Sequence, residues 1–401
     1  MALADIAVKQ TQSDTRRKLP KFLCVTNIPT PYRLHFFQKL SHELEKQGWN
    51  FEVLFMAKSE PGRYWEFTND FGFSHRFLPG ASPRIGNTVL HFNPSVCAVI
   101  NECEPEIVML AGTWFLPTNL MALVTSKFTR RTRVLFWSES HLKSRTHTGR
   151  VINALRRRIL GLYDGFVVPG AMASEYIRTY VADAPLFELP NTVDHTVFSE
   201  RVRSLRPNRR AILSELGVHS GSRVLLTPAR LIEDKGLLPF LDNIARVDAS
   251  LPWTLLIAGD GPLRESLDSW CAEHRNVDVR LLGYVHEQEM ARLYAAADVF
   301  LLPSLRDPNP LSVIEALWAE LPLMLSNAVG NHHEALVEEK NGWLFDPTNP
   351  DSSRECFGRM LCTSDDDLRT LGRRSGHTAH EFETERVIRR FLQKLGTGYR
   401  G

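Results

Sequence analysis

Short runs of uninterrupted apolar residues alternate along this chain with stretches whose apolar positions recur every three or four residues. In the N-terminal half the runs are FLCVTNI, FEVLFMA, EIVMLAG, RVLFWSES and DGFVVPG, and their continuous apolar character predicts strands buried on both faces of a parallel sheet. Between the first two, Leu34, Phe37, Leu40 and Leu44 mark a helix that Gly48 would stop. The stretch from Asn191 to Arg210 is polar, basic and poor in core residues, so a domain boundary is placed there. The rhythm then resumes with RVLLTPA, WTLLIAGD, VDVRLLGYV, DVFLLPS and LPLMLSN, and a helix carrying Met290, Leu293 and Ala297 lies among them. Strands alternating with helices predict an α/β fold with a doubly wound sheet in each half and a binding cleft between the halves. The resulting division is a polar lead-in over 1–20, Rossmann-like domains over 21–195 and 196–380, and a terminal segment over 381–401. In that last segment Val387, Ile388, Phe391 and Leu395 share one helical face, which is expected to dock back on the N-terminal domain.

Composition narrows the class without naming a function. At 401 residues the chain exceeds the size at which one core keeps growing, and 43% hydrophobic with 23% charged residues suits a soluble globule. The formal charge of +2 gives no whole-molecule footprint of the kind nucleic-acid binders show. Two local basic clusters remain, one of Lys143, Arg145, Arg150, Arg156, Arg157 and Arg158, the other of Arg201, Arg203, Arg206, Arg209 and Arg210. A solvated surface and peripheral contact with an anionic membrane are both open readings for them. The six cysteines form no CxxC pair, and the first twenty residues hold no apolar core of signal-peptide length, so a cytoplasmic protein is expected. Ile107 to Ser126 is uncharged and almost long enough to span a bilayer, but Gly112, Thr113, Pro117, Thr118 and Asn119 break it into strand, loop and helix.

Candidate chemistry gathers in the C-terminal half. Arg230 and Lys235 in PARLIEDKG follow the strand RVLLT, where such a loop can present a guanidinium fork and an ammonium to a diphosphate. In PSLRDPNPLSVIEA, seven residues separate Asp307 from Glu315, the first in a Pro-bracketed loop and the second about one turn inside the next helix. Both carboxylates can face one cleft mouth, and the N–H groups of Leu311 and Ser312 at the helix start can meet a phosphate. His332 and His333 adjoin Glu334 but form no dense ligand cluster, so they are read as hydrogen-bonding or surface groups and no metal site is expected.

The order of these motifs resembles the retaining glycosyltransferases of family 4, which have the two-domain GT-B fold. PARLIEDKG resembles that family's diphosphate loop, AGDGPLRESL with Gly259 its Gly-rich turn, and VRLLGYV its base-contacting strand end. PSLRDPNPLSVIEA resembles the paired-acid motif, and VGNHHEALVEEKNGWLFDP the terminal Gly, Glu and Asn-Gly elements. The resemblance implies that Arg230 and Lys235 hold a donor diphosphate, that Glu315 binds ribose hydroxyls, that Asp307 meets the transferred sugar, and that Gly283, Tyr284 and Val285 flank the base. It implies a nucleoside-diphosphate sugar as co-substrate, no further cofactor, and a glycan, lipid-linked or small-molecule acceptor. The N-terminal half would be the acceptor domain. There Arg33 in TNIPTPYRLHFF is a phosphate or acceptor candidate, Gly112, Thr113 and Trp114 would border the acceptor, and RVLFWSESH offers both Glu139 and His141 for the family's strand-end His. Two departures stand out: Asp307 is one methylene shorter than the usual Glu, and Asn309-Pro310 replaces Phe-Gly, which removes one N–H donor. An epimerase or phosphorylase of the same fold, and a silent sugar-nucleotide binder, are the competing readings.

Overall fold

A computed structural model describes residues 19–60, 70–86, 88–128, 132–144, 149–247 and 251–397. The lead-in expected over 1–20 lies outside them save for its last two residues, as do Arg145 and residues 398–401.

Each half builds one parallel sheet, as the apolar runs predict. The N-terminal sheet contains β1 (Lys21–Thr26), β2 (Asn50–Phe55), β3 (His75–Phe77), β6 (Ile107–Ala111), β7 (Arg133–Trp137), β8 (Gly165–Val168) and β9 (Leu186–Glu188). Its spatial order is β3-β2-β1-β6-β7-β8-β9, and a small antiparallel pair, β4 (Arg84–Ile85) with β5 (Thr88–Val89), stands apart. The C-terminal sheet contains β10 (Arg223–Pro228), β11 (Trp253–Ala258), β12 (Asp278–Gly283), β13 (Val299–Leu302), β14 (Leu323–Ser326) and β15 (Gly342–Phe345), in the order β12-β11-β10-β13-β14-β15. The strand order reverses beside β1 and beside β10. Those reversals open the crevices in which doubly wound sheets hold ligands.

Helices cover both faces of each sheet, which is why the strands are apolar throughout. Pro31–Lys46 buries Phe36, Phe37, Leu40 and Leu44, and the chain turns at Gly48 with a φ of +76°. The helix Thr384–Thr397 buries Val387, Ile388, Phe391 and Leu395 beside Phe22 and Phe37, so the end of the chain packs on the N-terminal domain. Each such side chain contributes about 1.5–3 kcal/mol relative to exposure.

Two details differ from the expectations and a third agrees with them. The stretch from Asn191 to Arg210 holds the helix His195–Leu205, whose Val202 enters the C-terminal core, with Arg209 pairing to Asp298 at 2.6 Å. Arg156 is not a surface cation. It is buried, with its guanidinium 5.3 Å from the Trp114 ring centroid and donating to the Tyr180 hydroxyl at 2.7 Å. The uncharged segment after Glu106 splits into β6 and the helix Pro117–Phe128, and no helix among the described residues is long and apolar enough to cross a membrane.

Candidate active site

The loops leaving β10, β11, β12 and β13 meet at one edge of the C-terminal sheet. Gly259, directly after β11, donates its N–H to Gly283 O at 2.8 Å, and Leu231 donates to Asp260 O at 3.0 Å. A Cβ on Gly259 would lie 1.9 Å from Ala229 O, so only glycine permits this approach of the two loops. Asp234 ties the loop after β10 to the loop after β13: its carbonyl accepts from Leu305 and Arg306 N–H at 2.8 and 3.0 Å, and its carboxylate pairs with the Arg306 guanidinium.

That lacing brings Lys235 against Asp307 in a direct ion pair, with their side chains 18% and 8% exposed. Ser304 Oγ also approaches Asp307 Oδ2, at 3.4 Å. The helix Leu311–Trp318 begins four residues after Asp307. No side chain caps it, and the N–H groups of Leu311 and Ser312 have no partner among the described residues. Glu315 lies one turn inside, where its Oε2 accepts from the Tyr294 hydroxyl at 2.7 Å. Burial first, then the facing Glu315 carboxylate, raises the Tyr294 pKa well above the ordinary phenol value. The Arg230 side chain is exposed, and its guanidinium has no ion-pair or hydrogen-bond partner among the described residues. At the end of β12, Tyr284 is 69% exposed beside half-buried Gly283 and Val285.

The facing wall is the C-terminal edge of the N-terminal sheet. A cavity of about 240 Å³ opens there, lined by residues at the ends of β1, β6 and β7 and by Pro308 from the opposite domain. Arg33 lies across the Trp137 ring, 3.7 Å from its centroid, and donates to Glu139 Oε1 at 2.6 Å. Asn191 Nδ2 donates to the same oxygen at 3.1 Å. Gly112 lines this cavity, whereas Thr113 does not and Trp114 turns into the core under Arg156. Trp114 is therefore a packing residue and does not border the cavity.

Glu139 and His141 part company. Glu139 lines the cavity; His141 is fully buried at the domain junction, with Nε2 3.3 Å from Asp307 O. A carbonyl only accepts, so Nε2 carries the proton and Nδ1 is a bare acceptor, without a partner among the described residues. Burial lowers the His141 pKa, which keeps the ring neutral. Two further contacts join the domains. Lys143 Nζ donates to Asn327 O and Oδ1 at 3.0 and 2.8 Å, and Ala171 N–H donates to Glu334 Oε1 at 2.6 Å. Glu334 thus sits on the N-terminus of the helix Ala171–Tyr180, a favourable place for a carboxylate, although burial raises its pKa. The neighbouring His332 donates from Nδ1 to Val329 O at 2.7 Å, and His333 lies against its ring.

Asn27, Thr30, Trp137, Asn191 and Tyr294 were not singled out from the sequence. The available signal was positional, since four of them follow or end apolar runs at the ligand-bearing edge of a parallel sheet.

Residues 208–369 match the family model described as Glycosyl transferases group 1. An uncharacterised glycosyltransferase of Methanocaldococcus jannaschii is 32% identical over 36% of this chain and 37% of its own length. An alpha-monoglucosyldiacylglycerol synthase of Streptococcus pneumoniae is 24% identical over 61% of this chain and 57% of its own. The chain thus spans between about a third and three-fifths of these curated relatives. The crystal structure of Anabaena Alr3699/HepE in complex with UDP and glucose superposes with a TM-score of 0.68 at 13% identity, covering 94% of this chain and all of that one. Residues 208–369 thus resemble a glycosyl transferases group 1 domain, and the two Rossmann-like halves of the chain together have the GT-B fold.

Proposed function

We propose that this chain transfers a sugar, with retention of anomeric configuration, from a nucleoside-diphosphate sugar to an acceptor hydroxyl. The observation that carries the reading is the meeting of Lys235, Asp307, the uncapped helix start at Leu311 and Ser312, and Glu315 at one sheet edge. Cations and free N–H groups there match a leaving diphosphate, and carboxylates match the hydroxyls of ribose and sugar. The UDP and glucose found with the structurally similar Anabaena protein support a nucleotide-sugar donor.

In this reading Arg230, Lys235 and the two N–H groups hold the diphosphate, Glu315 binds the ribose, and Gly283, Tyr284 and Val285 flank the base. Asp307 faces the transferred sugar, and its ion pair with Lys235 yields when the diphosphate arrives. The C1–O bond to the diphosphate breaks as the acceptor oxygen bonds to the same face of C1, and the acceptor proton passes to the departing phosphate oxygen. Charge stabilisation comes from side chains and N–H dipoles, so the reaction needs neither a metal nor a further cofactor. His141 supports Asp307 through its backbone carbonyl, and Glu139 stands on the acceptor side. The acceptor is a glycan, a lipid-linked sugar or a small molecule, and the site of action is the cytoplasm or the membrane surface bordering it.

Incubation with radiolabelled nucleotide sugars and an acceptor library in the presence of EDTA tests the reading. Labelled product with the donor's anomeric configuration, assigned by NMR, is expected. Epimerised donor without transfer, or activity that returns only with a divalent cation, contradicts it.

A further inference from the structure

The cavity beside β1 contains polar atoms without partners. Asn27 Oδ1, Thr30 Oγ1 and Arg33 Nη1 are all buried and make no hydrogen bond among the described residues. Such atoms are destabilising until something pairs with them. Asn27 is not free to turn away. Its Nδ2 donates to Glu60 Oε1 at 3.4 Å, and Glu60 is held in turn by the fully buried His91, whose Nε2 lies 3.1 Å from it and whose Nδ1 meets Ser82 Oγ at 2.8 Å.

The charge of the lining is balanced. Of the twelve lining residues only Arg33 and Glu139 are ionic, and they pair at 2.6 Å. Glu139 Oε1 is shared by Arg33 and Asn191. A phosphate entering here would meet a cation already neutralised and a carboxylate of like charge. A neutral polyol meets what it needs: acceptors at Asn27 and Thr30, a donor at Arg33, and an apolar flank on half-buried Tyr32. The volume of about 240 Å³ falls below the roughly 300–1,000 Å³ typical of sites for drug-sized ligands, which suits one small ring.

We infer that this cavity is the acceptor subsite and that it takes an uncharged pyranose, not a phosphorylated sugar or a glycerol phosphate, with Asn27 and Arg33 determining specificity. The inference rests on the transferase reading of the cleft. Pro308 links it to the donor side, since it lines the cavity one residue after Asp307. Glu60 and His91 are positioning residues that fix the Asn27 amide.

Saturation-transfer difference NMR on the full chain tests this with UDP, GDP and ADP as donor-side probes. Methyl glucopyranoside, galactopyranoside and mannopyranoside, glucose 6-phosphate and glycerol 3-phosphate serve as acceptor-side probes. At least one methyl pyranoside is expected to bind more tightly than either phosphate. Asn27→Ala and Arg33→Met are each expected to weaken it by about tenfold or more while leaving the nucleotide signal intact. Tighter binding of a phosphate, absence of any pyranoside signal in a protein that binds a nucleotide, or unchanged pyranoside affinity in both variants overturns the inference. The ranking in the wild-type chain stands without the variants. Pyranoside binding without any nucleotide binding overturns the transferase reading, and with it the acceptor role, while the cavity stands as a pyranose site.

Discussion

Replacing Lys235 with Met and Asp307 with Asn, singly and together, separates what their ion pair does for the fold from what it does for the donor. Lys235→Met strands a carboxylate whose side chain is 8% exposed, with Ser304 Oγ at 3.4 Å the one side-chain partner left to it among the described residues. Breaking a buried pair from one side costs about 3–5 kcal/mol. The 18% exposure of Lys235 puts this one at the low end, near 3 kcal/mol. Asp307→Asn leaves an ammonium that water can reach, so it should cost about 1–2 kcal/mol. The double variant should be less destabilised than the sum of the singles by at least about 1 kcal/mol. Binding should separate the two in sign. Lys235→Met loses a charge-assisted hydrogen bond to the diphosphate, about 10- to 100-fold in Kd, whereas Asp307→Asn frees Lys235 from a competing carboxylate and should tighten binding of the bare nucleoside diphosphate. Urea titration reads the first quantity and isothermal titration calorimetry the second. Additive destabilisation would show that the two side chains are not coupled, and weaker diphosphate binding by Asp307→Asn that they do not compete.

Three other outcomes follow from single positions. Gly330→Ala would place a Cβ 1.7 Å from Pro308 O, which must displace the loop carrying Asp307; urea unfolding should show a loss of about 1–3 kcal/mol, accompanied by reduced turnover. Glu315→Ala should raise KM for the nucleotide sugar about 10- to 100-fold in steady-state assays while Tm barely moves, because the Tyr294 hydroxyl keeps Ser312 O at 3.2 Å. Burial lowers the His332 pKa from 6.5 to about 4, so the unfolded chain binds its proton more readily than the folded one. Stability from this group is complete above pH 6.5 and falls as pH drops toward 4, by up to about 3 kcal/mol; urea midpoints in His332→Asn should show a shallower pH slope over that interval.

The fold was legible because buried parallel strands leave uninterrupted apolar runs, and all ten such runs became strands of the two sheets. The three short strands β3, β9 and β15 were not foreseen; three or four residues of HRF, LFE or GWLF carry too little periodicity to read. The gathering of Lys235, Asp307 and Glu315 at one sheet edge was legible because strand-end loops and helix starts converge in this topology. The acceptor side was less so. Arg33 and Glu139 are 106 residues apart and their pairing depends on β1 and β7 both flanking β6. Trp114 misled because an aromatic after a strand can turn either way, and only the buried Arg156 decides that it turns inward.

Release of nucleoside diphosphate from a panel of nucleotide sugars, followed with matched wild-type and Lys235→Met protein, shows whether the Lys235 loop holds a sugar donor. Release from at least one donor is expected, stimulated by an acceptor and reduced about 100-fold or more in the variant. No release from any donor, or equal release by both proteins, would contradict that role.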